Sequence, residues 1–178
     1  MPISSQEVAH RAASDAEPVA WVDEQDQLLG SLPRSELRER DLIGRATYIL
    51  LFNGVGELCV HRRTLSKATY PGYWDVAAGG MVHSEESYVQ SAARELAEEL
   101  GVKEVSLTAH ERFFFDHPGN RVWCAVFSAT WDGPLQLQPE EVLEAGFLSL
   151  DQVLDHSTVA SYCPDSMAAL QRYLAANS

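Results

Sequence analysis

Glu95, Glu98 and Glu99 crowd into the run RELAEELGV. On a helix, positions three and four apart are neighbours, so Glu95 and Glu99 project on one side and Glu98 lies one turn from Glu95. Adjacent anions repel there by roughly a few tenths of a kcal/mol per pair, and by more where water is excluded. A hard cation removes that cost. Mg2+ takes oxygen ligands, commonly one or two carboxylates with waters and a substrate phosphate completing its shell. A solvated acidic helix face is the competing account of the same spacing. Arg94 weighs towards the metal, because it reaches Glu98 at i+4 or turns back to Glu86 on the entry turn and so holds carboxylates in place. Gly79 and Gly80, just upstream, allow close backbone approach and a carbonyl donor.

The element that must carry these groups is a helix over residues 87–100. It is entered from Ser84 with Glu85 and Glu86 in the opening turn, and Gly101 is placed to stop it. Val89, Ala92, Ala93, Leu96 and Leu100 recur at helical spacing and predict one apolar stripe facing the core, with the carboxylates at its edge.

Residues 80–102 resemble the Nudix box, G-x5-E-x7-R-E-U-x-E-E-x-G-U with U aliphatic. Gly80, Glu86, Arg94, Glu95, Leu96, Glu98, Glu99, Gly101 and Val102 stand at its defined positions. The resemblance implies a Nudix-type α/β/α sandwich with a mixed β-sheet, a loop–helix–loop metal site for Mg2+ (Mn2+ as an alternative), and hydrolysis of a diphosphate linked to another moiety. It also implies Glu95, Glu98 and Glu99 as metal ligands, joined by the Gly80 carbonyl, with Glu86 and Arg94 shaping the loop. A glutamate from a later loop often serves such enzymes as extra ligand or base, and Glu140 or Glu141 stands in that region.

Ahead of the box, HRRTLSKATYPGYWDVAAGG holds Arg62, Arg63 and Lys67, suited to gripping phosphate oxygens, although pairing with surface carboxylates accounts for them equally. The stretch RATYILLFNGVGELCVHRRTLSKATYPGYWD resembles type I isopentenyl-diphosphate isomerases and the hydrolases related to them. In the isomerases a W-x-N-x-x-C-x-H segment supplies a catalytic cysteine and a metal-binding histidine. Trp74 is followed here by DVAAGGM, which puts Gly79 and Met81 at those positions. With no thiol to shuttle an allylic proton, attack by water is favoured over isomerisation. A binding module without turnover is the third alternative; such modules commonly lose box carboxylates, and none is lost.

The 178 residues, 46% of them apolar, predict a flexible or loosely helical extension over 1–18 and one domain over 19–178. A net charge of −13 argues against nucleic-acid polymers and anionic membranes as partners and leaves a small-molecule diphosphate. Three scattered cysteines predict neither disulfides nor zinc, and the lack of an apolar leader predicts a cytoplasmic protein. In chain order the patterns predict a hairpin turning at 24–27, a solvated loop or short helix over 33–43, and a strand pair over 45–52 and 57–63. A short strand over 104–107, a hairpin turning at 117–120 and a strand over 145–148 follow. Asp151 then opens a short helix, and Asp165 caps a final one whose Met167, Leu170, Tyr173 and Leu174 dock on the core or on a second copy, making a homodimer. The substrate is left open among nucleoside di- and triphosphates, nucleotide sugars, dinucleotides and isoprenoid diphosphates, with a nucleotide preferred.

Overall fold

The computed structural model describes residues 2–178. In chain order its elements are α1 (Ser5–Ala16), β1 (Pro18–Val22), β2 (Leu28–Pro33), α2 (Arg34–Glu39), β3 (Ile43–Phe52), β4 (Leu58–Arg63) and β5 (Trp74–Asp75). Then come α3 (Tyr88–Leu100), β6 (Thr108–Ala109), β7 (Phe113–His117), β8 (Asn120–Thr130), β9 (Val142–Leu148), α4 (Leu150–Ser157) and α5 (Pro164–Ala176).

Strand β3 reads IGRATYILLF, apolar on both faces, as a strand covered on both sides must be. It pairs in parallel with β8 along its whole length, from Ile43 opposite Arg121 to Phe52 opposite Thr130. Strand alternation sorts the two sets of side chains. Ala46, Tyr48 and Leu50 join Val122, Cys124 and Val126 in one core layer, closed by Val153 of α4 and Ala169 and Leu170 of α5. Ile49 and Leu51 join Ala125, Phe127 and Ala129 in the other, closed by Ala92, Leu96 and Leu100 of α3. Helices therefore cover both faces of a mixed sheet. Its remaining pairs are antiparallel: β1 with β2 and β3, β3 with β4, β4 with β5 and β9, and β6 and β7 with β8.

Several boundaries differ from the sequence reading. The N-cap of α3 is Ser87 and its first turn holds no acidic residue, so Glu85 and Glu86 belong to the preceding turn. Val89 and Ala93 are exposed, because the helix rotates Glu99 inward in their place, on the strip shared with Ala92, Leu96 and Leu100. No strand forms over 104–107. Glu104 adopts φ 57°, which breaks extended backbone, and the strand comes later at Thr108–Ala109. The N-cap of α5 is Cys163, with Asp165 inside the first turn. The face of α5 predicted to dock is spent on the core, against Phe52 and its neighbours.

Candidate active site

The loop before α3 is strapped to the edge of β3 that β8 leaves free. Ile49 N donates to Ala78 O at 2.7 Å, Thr47 N to Gly80 O at 3.0 Å and Val82 N to Arg45 O at 2.8 Å. Gly79 sits at φ 149°, and a Cβ there would run into the Thr47 carbonyl, so only glycine lets the loop lie this close. A Cβ on Gly80 would stand 2.6 Å from Glu95 Oε1. The backbone thus cradles the first glutamate of the helix. Ser87 starts that helix by accepting from Gln90 N, while Gln90 accepts from Ser87 N.

Arg94 organises the carboxylates. Its Nε and Nη2 form a fork onto Glu86, at 2.7 and 2.9 Å, and its Nη1 donates to Glu95 at 2.9 Å and Glu98 at 3.3 Å. Burial opposes ionisation of Glu86, but the Arg94 hydrogen bonds win and hold its carboxyl below the usual range. Glu99 is different. It is 6% exposed, its side chain accepts no hydrogen bond, and burial followed by the nearby Glu95 charge drives its carboxyl well above the usual range. Burial and Glu95 also raise Glu98. Glu99 Oε2 lies 3.8 Å from His61 Nε2, which lies 3.9 Å from Asp75. His61 is itself 2% exposed, and burial pulls its pKa down to about 4 against the attraction of Asp75.

Of these groups all but His61 and Glu86 line a cavity of about 170 Å³. Glu95, Glu98 and Glu99 line it with Gly79 and Gly80, and so do Arg63 and Lys67. Arg63 leans on Asp75 at 3.4 Å and on the Thr69 carbonyl at 2.9 Å, and Lys67 meets the Glu141 carboxylate. Glu141 in turn bonds His10 of α1 at 2.6 Å. Another part of the wall carries Asp165, whose carboxylate accepts from the Tyr48 hydroxyl at 2.7 Å and the Asn120 amide at 3.4 Å. Burial, then the Asp75 charge, raise that carboxyl.

The NUDIX domain family matches residues 42–164. The chain belongs to this family. It is 66% identical over 167 residues to the uncharacterized Nudix hydrolase PA4841 of Pseudomonas aeruginosa, covering 94% of this chain and 99% of that protein. It is 36% identical over 168 residues to the uncharacterized Nudix hydrolase YfcD of Escherichia coli K12, covering 94% and 92%. Among solved structures, DR0079 from Deinococcus radiodurans superposes with a TM-score of 0.75 at 24% identity, over 88% of this chain and 99% of that one. That likeness speaks for the fold.

The Nudix box residues named from the sequence therefore converge, with Glu86 and Arg94 beside the three carboxylates. Among the described residues, no group of three or more His, Cys, Asp or Glu side chains is arranged to hold a metal ion. Arg94 Nη1 stands between Glu95 and Glu98, donating to both. Arg62 falls outside the cavity. It is exposed, its Nε donating to the Gly72 carbonyl, because alternation along β4 turns it away from the side taken by His61 and Arg63. Glu140 bonds Thr64 through its carbonyl, leaving Glu141 as the loop glutamate on the cavity wall. His83 keeps to the turn, its backbone N–H donating to Glu86. His61, Asp75 and Arg34 escaped the sequence reading, and Asp165 was read only as a helix cap. The one available signal was a histidine directly after the apolar run Leu58–Val60 and an aspartate between Trp74 and Val76, where an unpaired polar group is costly.

Proposed function

We propose that the chain is a metal-dependent hydrolase of a diphosphate linkage in a nucleoside di- or triphosphate or a related nucleotide. The observation that carries this reading is Glu99, a buried carboxylate without a hydrogen bond, beside Glu95 and next to a backbone cradle at Gly80. Such a group is costly to ionise unless a cation joins it. The donors fit a hard cation: carboxylate oxygens of Glu95, Glu98 and Glu99 with the Gly80 carbonyl, once Arg94 Nη1 releases the two it bridges. Mg2+, or Mn2+, bound there supplies neutralising charge to the diphosphate and a more acidic water.

The protein side of the chemistry follows from the same residues. Arg94, anchored on Glu86, keeps the helix entry and the Gly80 loop in one position. Arg63 and Lys67 offer donors to phosphate oxygens along the cavity wall. Glu98, half exposed and with a raised carboxyl, takes the proton of the attacking water, with Glu95 as the alternative base. The leaving group departs with the diphosphate bond broken and water's oxygen on phosphorus.

The Tyr48, Asp165 and Asn120 end supports a leaving group rich in hydrogen-bond donors over a hydrocarbon one. Isomerase chemistry has no support, since none of the three thiols lines the cavity. No helix among the described residues is long and apolar enough to cross a membrane, in keeping with a small-molecule enzyme of the cytoplasm. The test is phosphate and pyrophosphate release from a panel of nucleoside and isoprenoid diphosphates with Mg2+ or Mn2+. Glu98→Gln and Glu99→Gln are each expected to lose at least about a hundredfold in turnover with unchanged circular dichroism. Near-wild-type rates in both remove the metal site.

A further inference from the structure

Six lysine and arginine side chains line the cavity, and five have a carboxylate within ion-pair distance. Arg38 pairs with Asp15 at 3.2 Å, Arg63 with Asp75 at 3.4 Å, Lys67 with Glu141, Arg94 with Glu86 at 2.7 Å and Arg121 with Asp116 at 2.8 Å. Arg34 is the exception among the described residues. Its one side-chain hydrogen bond runs from Nη1 to the Ser14 hydroxyl at 3.1 Å. A guanidinium carries five N–H donors, so four are left for water or a ligand.

The base of this side chain is held firmly. Arg34 follows Pro33, whose φ is −55°, and its backbone N–H donates to the Glu17 carbonyl at 2.9 Å. It also lines a small side cavity together with Arg11, Arg63 and Lys67, so four cations share it with the carboxylates of Asp15, Glu140 and Glu141. Burial lowers the Arg34 pKa, and the opposing charges of Glu95 and Glu17 do not restore it against Arg63 and Arg38. In a chain of net charge −13, a half-buried arginine with no carboxylate within ion-pair distance is set up for an anion that arrives from outside.

We propose that Arg34 is a substrate-binding residue, its free donors closing on a phosphate oxygen of the diphosphate beside Arg63 and Lys67. Arg34 precedes the family-matched stretch, which begins at residue 42, so the segment ahead of that match completes the anion site. The inference rests on the diphosphate reading of the cavity.

The competing role for Arg34 is to seat α1 through Ser14, and the two roles separate experimentally. The probe is imidodiphosphate, which resists hydrolysis, titrated calorimetrically with excess Mg2+ into wild type, Arg34→Gln, Arg34→Lys and Ser14→Ala. Arg34→Gln is expected to bind roughly ten- to a hundredfold more weakly, with a shallower dependence on salt. Arg34→Lys recovers part of the loss, and Ser14→Ala binds like wild type. Equal weakening in Ser14→Ala and Arg34→Gln, or wild-type affinity in Arg34→Gln, overturns the inference and leaves the hydrolase standing, provided Glu99→Gln abolishes turnover. If the wild-type chain binds no imidodiphosphate, the inference and the diphosphate reading fall together.

Discussion

A histidine whose pKa is pulled to about 4 by burial is neutral in the native state, yet takes up a proton below pH 6.5 once the chain unfolds. His61 therefore contributes stability that is present above pH 6.5 and lost as pH falls through 4. Glu99 carries the opposite sign: a carboxyl raised above its unfolded value of 4.5 contributes stability below that pH, lost as pH rises through about 8. Variants separate the two. Urea denaturation should show the advantage of wild type over His61→Gln shrinking by about 3 kcal/mol between pH 6.5 and 4. In EDTA, Glu99→Gln should gain on wild type as pH rises from 4.5 to 8, and saturating Mg2+ should cancel that gain, because the ion stabilises only the protein that retains the carboxylate. An advantage of wild type over His61→Gln that stays flat with pH would mean that His61 is protonated in the fold.

At the scale of elements, the loop strapped to β3 makes two neighbouring glycines inequivalent. Alanine at 79 meets the Thr47 carbonyl, which belongs to the central strand and has no room to yield, so Gly79→Ala should cost several kcal/mol or prevent folding. Alanine at 80 meets the tip of the Glu95 side chain, which can swing. Gly80→Ala should fold, melt within a few degrees of wild type and lose turnover; calorimetry and kinetics on the pair check the contrast. Ser87→Ala, removing the cap of α3, should cost about 1 kcal/mol. These elements also show how far the sequence can be read. The spacing of Glu95, Glu98 and Glu99, the arginine among them and the glycines at either end are local features, and the helix, its loop and its charges were legible from them. The rotation of that helix was not. Val89 completes a good apolar stripe on paper, whereas the core on the other side takes Glu99 inward. The roles of His61, Asp75 and Asp165 at the site were missed for a related reason: what makes each unusual is a partner on another element, from 12 to 117 positions away. Arg34 looked like one charge among several in a solvated stretch, since nothing nearby in the chain says that it alone of the cavity cations lacks an ion-paired carboxylate.

For the molecule as a whole, the three thiols sit where they can report on how it comes apart. Cys59 lies in the core layer under α3, Cys124 in the layer under α4 and α5, and Cys163 at the start of α5. All are buried, and burial pushes each thiol up, Cys59 to about 12, so none should react with a thiol reagent in the native state. If the two layers unfold as one unit, the three should label at a common rate when followed by mass spectrometry; faster labelling of Cys59 than of Cys124 would show that the α3 layer opens by itself. The parallel pairing of β3 with β8 bears on a different moment in the protein's life. Ile43 waits for a partner 78 positions further along the chain, at Arg121. At a synthesis rate of about 5–20 residues per second, this long, largely apolar strand emerges from the ribosome roughly 4–16 s before the strand that will cover its edge. During that interval a nascent chain is a sticky ribbon, and its safe passage falls to chaperones and to the brevity of translation.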